Sequence, residues 1–438
     1  MTEPSPRPTH PPAGDGGWWR VLVRSFLTLL VGEGAARVFS FVAMVVLARR
    51  LGPGGFGIIS FGIAVVAWFG LVVDSGTEFV STSEISREPH RFREIAEHVL
   101  GLRIALSLLA GAVFAGAVLL FARSPFDRDV YLRFGLVLPA VALNLRWMVL
   151  GVRRASSVAI GNVVSQMLLM SGVLLLVVDK ESVGRVPYFV AGSELAYALV
   201  IIGALVPGFG WLRPRYDPVA WRSSLRRGVP LMISSFARGV IYSFDLLVIG
   251  IFLGPRFAGY YSVGSKPVQF IATAIGLFYI SFIASYSAAG PDEAARLFRR
   301  STRMTLATTV PVTLVASFAA PFAIPLVFGR AYHHSVGILA LLAWKIPLSA
   351  LSSSYNGVLL AEGHQVTLMR NNVTAAVLNA TGDIIMVPFV GIYGAVAVNI
   401  FAAGLVLVLN YRSAVARGIG LPFREILRPP RRALPNAE

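Results

Sequence analysis

The sequence contains no cysteine, only three lysines and few acidic residues. The absence of cysteine excludes disulfide bonds and thiolate chemistry. Charged residues make up 14% of the 438 residues, whereas soluble globular domains carry about 25%. Hydrophobic residues make up 55%. A chain this long and this apolar is typical of a protein that crosses a membrane many times.

The sequence lacks the motifs of metal-binding and nucleotide-binding sites. The six histidines are scattered, and none has an acidic or histidine partner at a metal-ligand spacing. The glycine-rich stretch RRLGPGGFGIISFG at 49–62 lacks the Lys-Ser/Thr pair of a phosphate-binding loop and a preceding strand. We therefore expect no metal and no cofactor, and we interpret this stretch as a connection between two helices.

Twelve apolar runs are long enough for helices that span a membrane, which takes about 20 residues each. The runs are too long and too continuous for the alternating strands of an outer-membrane barrel. The sequence predicts an all-α membrane protein with about 12 transmembrane helices. The runs cover 26–48, 56–78, 98–121, 131–151, 156–178, 187–207, 229–253, 258–286, 304–327, 335–361, 366–389 and 391–411.

Basic residues are distributed unevenly between the two sides of these spans. If both termini lie on one side, the tails and connections there hold 24 basic residues, and those on the other side hold eight. Because connections rich in arginine and lysine stay in the cytoplasm, we expect both termini to be cytoplasmic. The net charge of +17 then reflects this bias and an affinity for membrane lipids rather than nucleic acid.

The stretch at 49–62 recurs 202 residues later as IFLGPRFAGYYSVG at 251–264. The matched positions include Gly52 with Gly254 and Gly57 with Gly259. Because the offset covers six spans, the two halves have the same orientation, as in a parallel repeat about an axis along the membrane normal. The predicted divisions are a disordered tail at 1–20, a six-helix lobe at 21–210, a basic amphipathic linker at 211–228, a second six-helix lobe at 229–412 and a basic tail at 413–438.

Several short motifs stand in an order that is similar to a known transporter family. They are RRLGPGGFGIISF after the first span, EISR at 84–87, DLLVIGIFLGPRFAGYYSVGSK at 245–266, FGRAY at 328–332 and LLAEG at 359–363. Over about residues 20–412 the chain resembles the Wzx-type polysaccharide-biosynthesis flippases of the MOP exporter superfamily.

The resemblance implies a MATE-like fold with two six-helix bundles around a central cavity. It implies a transporter rather than an enzyme, located in the bacterial cytoplasmic (inner) membrane. The cargo would be an undecaprenyl-pyrophosphate-linked oligosaccharide, flipped by alternating access for O-antigen, capsule or exopolysaccharide synthesis. A polysaccharide polymerase and a chain-length regulator would be partners. Because the cavity lies within one chain, we expect a monomer.

Charged residues inside the spans are candidate contacts for such an anionic cargo. A charge within the bilayer needs an aqueous cavity or a partner, and arginine can hold a phosphate through two N–H groups. Arg103 and Arg133 lie near span ends, where their charges can reach water. The candidates for pyrophosphate binding are Arg37, Arg238, Lys266, Lys345 and Arg146.

Acidic and uncharged polar residues inside the spans form two further groups. The candidate charge partners, or coupling sites for H+ or Na+, are Glu33, Asp74, Asp245 and Asp383. The candidate sugar contacts are Asn162, Gln166, Asn356, Asn379, Tyr242 and Trp344. Simpler roles stay open for all of them, namely pairing of Glu33 with Arg37 four residues on, hydrogen bonds between helices, and packing.

Two other functions stay open. A cation-coupled multidrug exporter of the same fold would need an anionic or aromatic cavity; the interior cations argue against it, and Glu33 and Asp74 argue for it. A membrane polysaccharide polymerase or ligase would need catalytic groups in a sizeable outer loop. The longest predicted outer connection has only about ten residues.

Overall fold

A computed structural model describes residues 17–122, 124–152, 155–288, 290–422 and 426. Most of the predicted tails at 1–20 and 413–438 lies outside these ranges. The described chain is helical and contains no strand, which confirms the all-α prediction. Its α-helices are α1 Gly17–Asp74, α2 Thr77–Arg87, α3 Phe92–Phe121, α4 Pro125–Phe134, α5 Val137–Ala142, α6 Arg146–Gly151, α7 Ala155–Leu176, α8 Val186–Phe209, α9 Pro218–Gly239, α10 Asp245–Phe252, α11 Pro255–Ala288, α12 Pro291–Phe328, α13 Ser335–Leu342, α14 Lys345–Ala361, α15 Gln365–Val390 and α16 Ile392–Val415.

Ten segments of the described chain are long and apolar enough to cross a membrane. The first, Gly32–Arg87, covers the first two predicted spans, because α1 continues from one into the other. The predicted span at 258–286 lies in α11, much of which is outside the described side chains. The chain is therefore a multi-pass membrane protein, as the apolar runs predict.

The connection predicted within 49–62 is shorter than expected, since it consists of one sharp bend inside α1. Gly52 has φ 69°, a left-handed conformation that glycine adopts without steric cost, and Pro53 restarts the helix. The second copy has the same design. Gly254 has φ 90°, and Pro255 begins α11.

The two copies of this motif pack against each other. A Cβ atom built on Gly57 would lie 1.7 Å from the carbonyl oxygen of Pro255, and one built on Gly259 would lie 2.0 Å from that of Pro53. Equivalent residues meet in this reciprocal way only close to a two-fold axis, so the contact agrees with the parallel repeat inferred from the sequence. We call the end of the molecule that carries Gly52 and these contacts the glycine face.

The opposite end carries the turn between α2 and α3 and residues 210–217, and we call it the basic face. Toward the glycine face a single hydrophobic core contains residues of both halves, for example Phe134 and Ile338. Toward the basic face the core divides into one cluster around Trp147 and another around Tyr355. The two halves are thus packed together more extensively at the glycine face.

At the basic face, the predicted linker at 211–228 has two parts. Residues 211–217 have no regular structure, and from Pro218 onward the chain is already in α9, which continues toward the seventh predicted span. The Asp217 carboxylate begins this helix by accepting hydrogen bonds from the backbone N–H groups of Val219 and Ala220.

Candidate functional site

A cluster of buried polar side chains lies in the second half of the chain, where α10, α11, α14 and α16 meet. Asp245 is 2% exposed and accepts hydrogen bonds from the hydroxyl of Tyr261 and the side-chain amide of Asn399. The oxygen of that same amide accepts a hydrogen bond from Lys345, which is 8% exposed. We call Asp245, Tyr261, Lys345 and Asn399 the charged cluster.

The local backbone explains how Asp245 reaches this position. Between α9 and α10, residues Val240–Phe244 form a π-helix, which widens the helix by one residue per turn and often occurs at functional sites. The ammonium group of Lys345 lies 3.4 Å from the carbonyl oxygen of Ile241 in this segment and 5.6 Å from the ring centre of Tyr242. The π-helix therefore supplies both a backbone acceptor and an aromatic face to the lysine.

The charged cluster forms one wall of a small cavity that is partly open to solvent. Tyr242 also lines the cavity, and Gln269 donates a hydrogen bond of 3.1 Å to the backbone carbonyl of Tyr242. The complete lining is Tyr242, Asp245, Tyr261, Ser265, Val268, Gln269, Ala272, Leu342, Lys345 and Asn399. Predicted candidates Asp245, Lys345 and Tyr242 thus line one cavity.

A second acidic side chain lies near this cluster. Asp383 on α15 is fully buried, and neither carboxylate oxygen has a hydrogen-bond partner within the described chain. It is close enough to Asp245 and Lys345 to interact electrostatically with both. Asn379, one turn earlier on the same helix, is 1% exposed, and its amide also lacks partners there. Such buried, unsatisfied groups are costly unless a proton, ion or water completes them.

Lys266 is a second cation in this region, located on α11 next to the cavity-lining Ser265. Among the described residues it makes no hydrogen bond or ion pair, although it lies within electrostatic reach of Asp245. Lys345, by contrast, donates hydrogen bonds to the side-chain oxygen of Asn399 and to the backbone carbonyl of Ile241. The two predicted lysines therefore differ in how free their charges are to meet a ligand.

The first half of the chain holds a smaller polar group on α1 and α7. Arg37 and Glu33 form an ion pair at 2.9 Å, with exposed side-chain fractions of 36% and 39%. Asn162 donates a hydrogen bond of 3.0 Å to the other carboxylate oxygen of Glu33. One turn further along α7, the Gln166 side-chain oxygen is buried without a partner in the described chain. The structure thus brings together four residues that the sequence assigned to three different roles.

The remaining predicted contacts lie apart from the charged cluster. Arg238 is exposed on α9 and donates hydrogen bonds of 3.0 Å and 2.9 Å to the hydroxyls of Ser234 and Ser235. Trp344 is 47% exposed and does not line the cavity, although it directly precedes Lys345. Asn356 is half-buried about three turns further along α14.

Near the basic face, Asp74 and Arg146 occupy a different environment. Arg146 is half-exposed, and its guanidinium lies 3.8 Å from the carboxylate of Glu78. Asp74 accepts backbone hydrogen bonds at the start of α2 and pairs with Arg103. The expectation that Arg103 reaches water was wrong: it is 3% exposed, and it also bonds the Thr77 hydroxyl. The half-buried Asp74, at the end of α1, replaces solvent as the partner of Arg103.

Several members of the cavity wall are not among the site residues predicted from the sequence. Asn399 and Gln269 were visible as amides within apolar runs, the kind of signal that marks inter-helix contacts. Tyr261 and Ser265 carry no such signal, because both residue types are common in apolar helices. No group of three or more metal-ligating side chains occurs among the residues that the structure describes.

Comparison with known proteins gives one family and several folds. A family model described as "Polysaccharide biosynthesis protein" matches residues 22–288. The lipid II flippase MurJ in an inward closed conformation is 14% identical over 92% of this chain and 89% of its own, with a TM-score of 0.74. An inward-facing multidrug resistance MATE transporter of the MOP superfamily is 14% identical over 87% of this chain and 94% of its own, with a TM-score of 0.68.

A third similar structure is a MOP superfamily transporter from Pyrococcus furiosus, described as having a binding pocket of reverse polarity. It is 14% identical over 91% of this chain and 96% of its own, with a TM-score of 0.57. Among curated proteins, none matches this sequence. At these identities the structural likeness shows the fold, which is that of the MOP transporters.

Proposed function

The chain belongs to the polysaccharide biosynthesis protein family, and from this premise we propose that it flips undecaprenyl-pyrophosphate-linked oligosaccharides across the bacterial cytoplasmic membrane. The MOP fold and the many apolar helices support transport of a lipid-linked substrate. We further propose that the basic face is cytoplasmic, because the arginine-rich connections lie there. The cargo would serve a surface polysaccharide, handed on to a polymerase and a chain-length regulator.

The observation that carries this proposal is that two of the five candidate pyrophosphate contacts, Arg238 and Lys266, have neither an acidic nor an amide partner within the described chain. Among the described residues, Arg238 donates side-chain hydrogen bonds only to two serine hydroxyls, and Lys266 makes no hydrogen bond or ion pair. Arg37 and Lys345 already have partners in Glu33 and Asn399. A pyrophosphate group suits Arg238 and Lys266, since arginine holds phosphate oxygens in pairs and lysine acts as a point charge.

We expect Arg238→Ala and Lys266→Ala each to reduce export about ten- to hundredfold, because a hydrogen bond to a charged group contributes about 1.5–3 kcal/mol. Surface polysaccharide would be measured in a strain that lacks its own copy, alongside the abundance of each variant in the membrane. Arg300→Ala, which removes an exposed arginine from α12, is the matched control and should export normally. Full export by both variants at normal abundance would contradict the assignment.

We propose that Asp383 couples transport to H+ or Na+. Its carboxylate is buried and unsatisfied within the described chain, and so is the Asn379 amide one turn away. A carboxylate in such a place is neutral when protonated, or it holds a cation with the help of neighbouring oxygens. This buried acid is also the observation that favours the second candidate function, a cation-coupled multidrug exporter.

Asp383→Asn keeps the shape of the side chain and removes its charge. We expect it to lower export to about a tenth or less, because the charged form can no longer alternate with the neutral form. The same surface polysaccharide measurement checks this. Glu181→Gln is the matched control, because it removes an exposed carboxylate away from the cavity and should export normally. Resistance to cationic drugs, tested in parallel, distinguishes the two functions. If the wild-type chain confers drug resistance and exports no polysaccharide, the protein is a multidrug exporter.

A further inference from the structure

The segment of residues 211–217, which we call the strap, is fixed to the outside of α3 at the basic face. The backbone N–H of Arg215 donates a hydrogen bond of 3.0 Å to the carbonyl of Glu97, and Trp221 donates one of 3.1 Å to the carbonyl of His98. Gly101 allows the close approach, since a Cβ there would lie 2.3 Å from the Arg215 carbonyl oxygen. The backbone of the strap is therefore held in place against α3.

Large apolar side chains of the strap and the first turn of α9 are exposed. Trp211 is 72% exposed, Tyr216 is 78% exposed and Val219 is 81% exposed. They occur directly between the ends of two membrane-spanning segments, at the level where the chain leaves the bilayer. Tryptophan and tyrosine are enriched at that depth because their rings are apolar and their N–H or O–H groups remain hydrated.

The same region carries cations that acidic side chains do not neutralise. Arg213, Arg215, Arg222 and Arg226 are exposed, and none forms an ion pair within the described chain. The neighbouring arginines behave differently, since Arg91, Arg93 and Arg227 all have carboxylate partners. Four arginines without an ion pair in the described chain thus lie within 14 residues of one another, on the strap and the start of α9.

The one acid within this region is Asp217, whose carboxylate accepts hydrogen bonds from the backbone at the start of α9. Hydrogen bonds from the backbone N–H groups of Ala220 and Val219 lower the pKa of Asp217, and His98 lies 3.5 Å away. Its carboxylate therefore caps α9, and one acid offsets only part of the charge of the four arginines. Anionic headgroups of the surrounding bilayer are the ligands that fit such a surface.

We propose that the strap and the first turns of α9 bind anionic phospholipids of the membrane in which the protein sits. Trp211 and Tyr216 lie at the headgroup level, and the four unpaired arginines contact the lipid phosphates. This site goes beyond the proposed function, because it faces the bilayer outside the cavity and binds resident lipid rather than cargo.

The test counts lipids on the purified, delipidated full chain by native mass spectrometry, with phosphatidylglycerol and with phosphatidylcholine. In the variant R213Q/R215Q/R222Q/R226Q we expect the apparent affinity for phosphatidylglycerol to fall by about tenfold, with that for phosphatidylcholine unchanged. The matched control R87Q/R296Q/R300Q/R412Q removes four exposed arginines elsewhere and should retain most of the affinity. Equal losses in both variants, or no preference of the wild-type chain for the anionic lipid, would overturn the proposal.

A single substitution, Trp211→Phe, provides a second test that does not depend on correct folding of the fourfold variant. Brominated phosphatidylglycerol should quench tryptophan fluorescence of the wild-type chain more strongly than brominated phosphatidylcholine, and Trp211→Phe should reduce that difference, with Trp221 supplying the remainder. If Trp211→Phe leaves the difference unchanged, the strap is not the site. Both readouts measure lipid binding without transport, so their failure is distinct from a failure of the proposed flippase activity.

Discussion

Gly57→Ala and Gly259→Ala should each prevent the glycine face from closing and reduce export to background. A methyl group at position 57 would lie 1.7 Å from the Pro255 carbonyl oxygen and 2.9 Å from the backbone nitrogen of Gly259, and one at position 259 would lie 2.0 Å from the Pro53 carbonyl oxygen. Because the neighbours are backbone atoms, no side chain can rotate away. Over-packing of this kind costs about 1–3 kcal/mol, which shifts a two-state equilibrium about 5- to 150-fold.

The absence of cysteine provides a direct measurement of this shift. Ser265 lines the cavity, so Ser265→Cys introduces one thiol whose reaction with a membrane-impermeant maleimide reports access from either side. In this background Gly57→Ala should label faster from outside the cell than the parent. Gly54→Ala is the control, because a methyl group there meets no atom within 4 Å. Normal export together with unchanged labelling of Gly57→Ala would mean that this contact is not a gate.

The sequence was sufficient to predict this repeat but not the meeting of its copies. Spans of about 20 apolar residues and a fixed offset of 202 positions are local properties of the chain, and they give the helical fold. Contact between Gly57 and Gly259 depends on how near each copy lies to the axis, which is a property of the packed lobes. The shared hydrophobic core at the glycine face decides that distance.

The candidate site was predictable to a similar extent. Charged residues in apolar runs are rare enough to single out Asp245, Lys345 and Asp383 from the sequence. Their partners were not predictable, because Lys345 meets Asn399 from 54 positions away and Asp245 meets it from 154 positions away. Arg103 shows the same limit, since its burial follows from the bend that places Asp74 against it.

The basic face has a glycine contact of its own, and Gly228→Ala should open it. A Cβ on Gly228 would lie 2.3 Å from the Ser75 carbonyl oxygen, and one on Gly76 would lie 2.2 Å from the Gly228 carbonyl oxygen. An ion pair between Arg227 and Glu84 spans the same junction of α2 and α9, with exposed fractions of 51% and 29%. We expect export to be lost in Gly228→Ala and maleimide labelling of Ser265→Cys to increase from the cytoplasmic side.

Comparing Gly228→Ala with Arg227→Gln shows whether the glycine contact or the Arg227–Glu84 ion pair contributes more to keeping the basic face closed. A partly exposed ion pair contributes only about 0–1 kcal/mol, so Arg227→Gln should change labelling and export by no more than about fivefold. Gly203→Ala, on α8 with no atom within 4 Å of the added methyl group, should behave as wild type. Because Gly57→Ala and Gly228→Ala disturb opposite faces, they should increase labelling from opposite sides of the membrane. If both increase it from the same side, the two glycine contacts are not the alternating gates of one cavity.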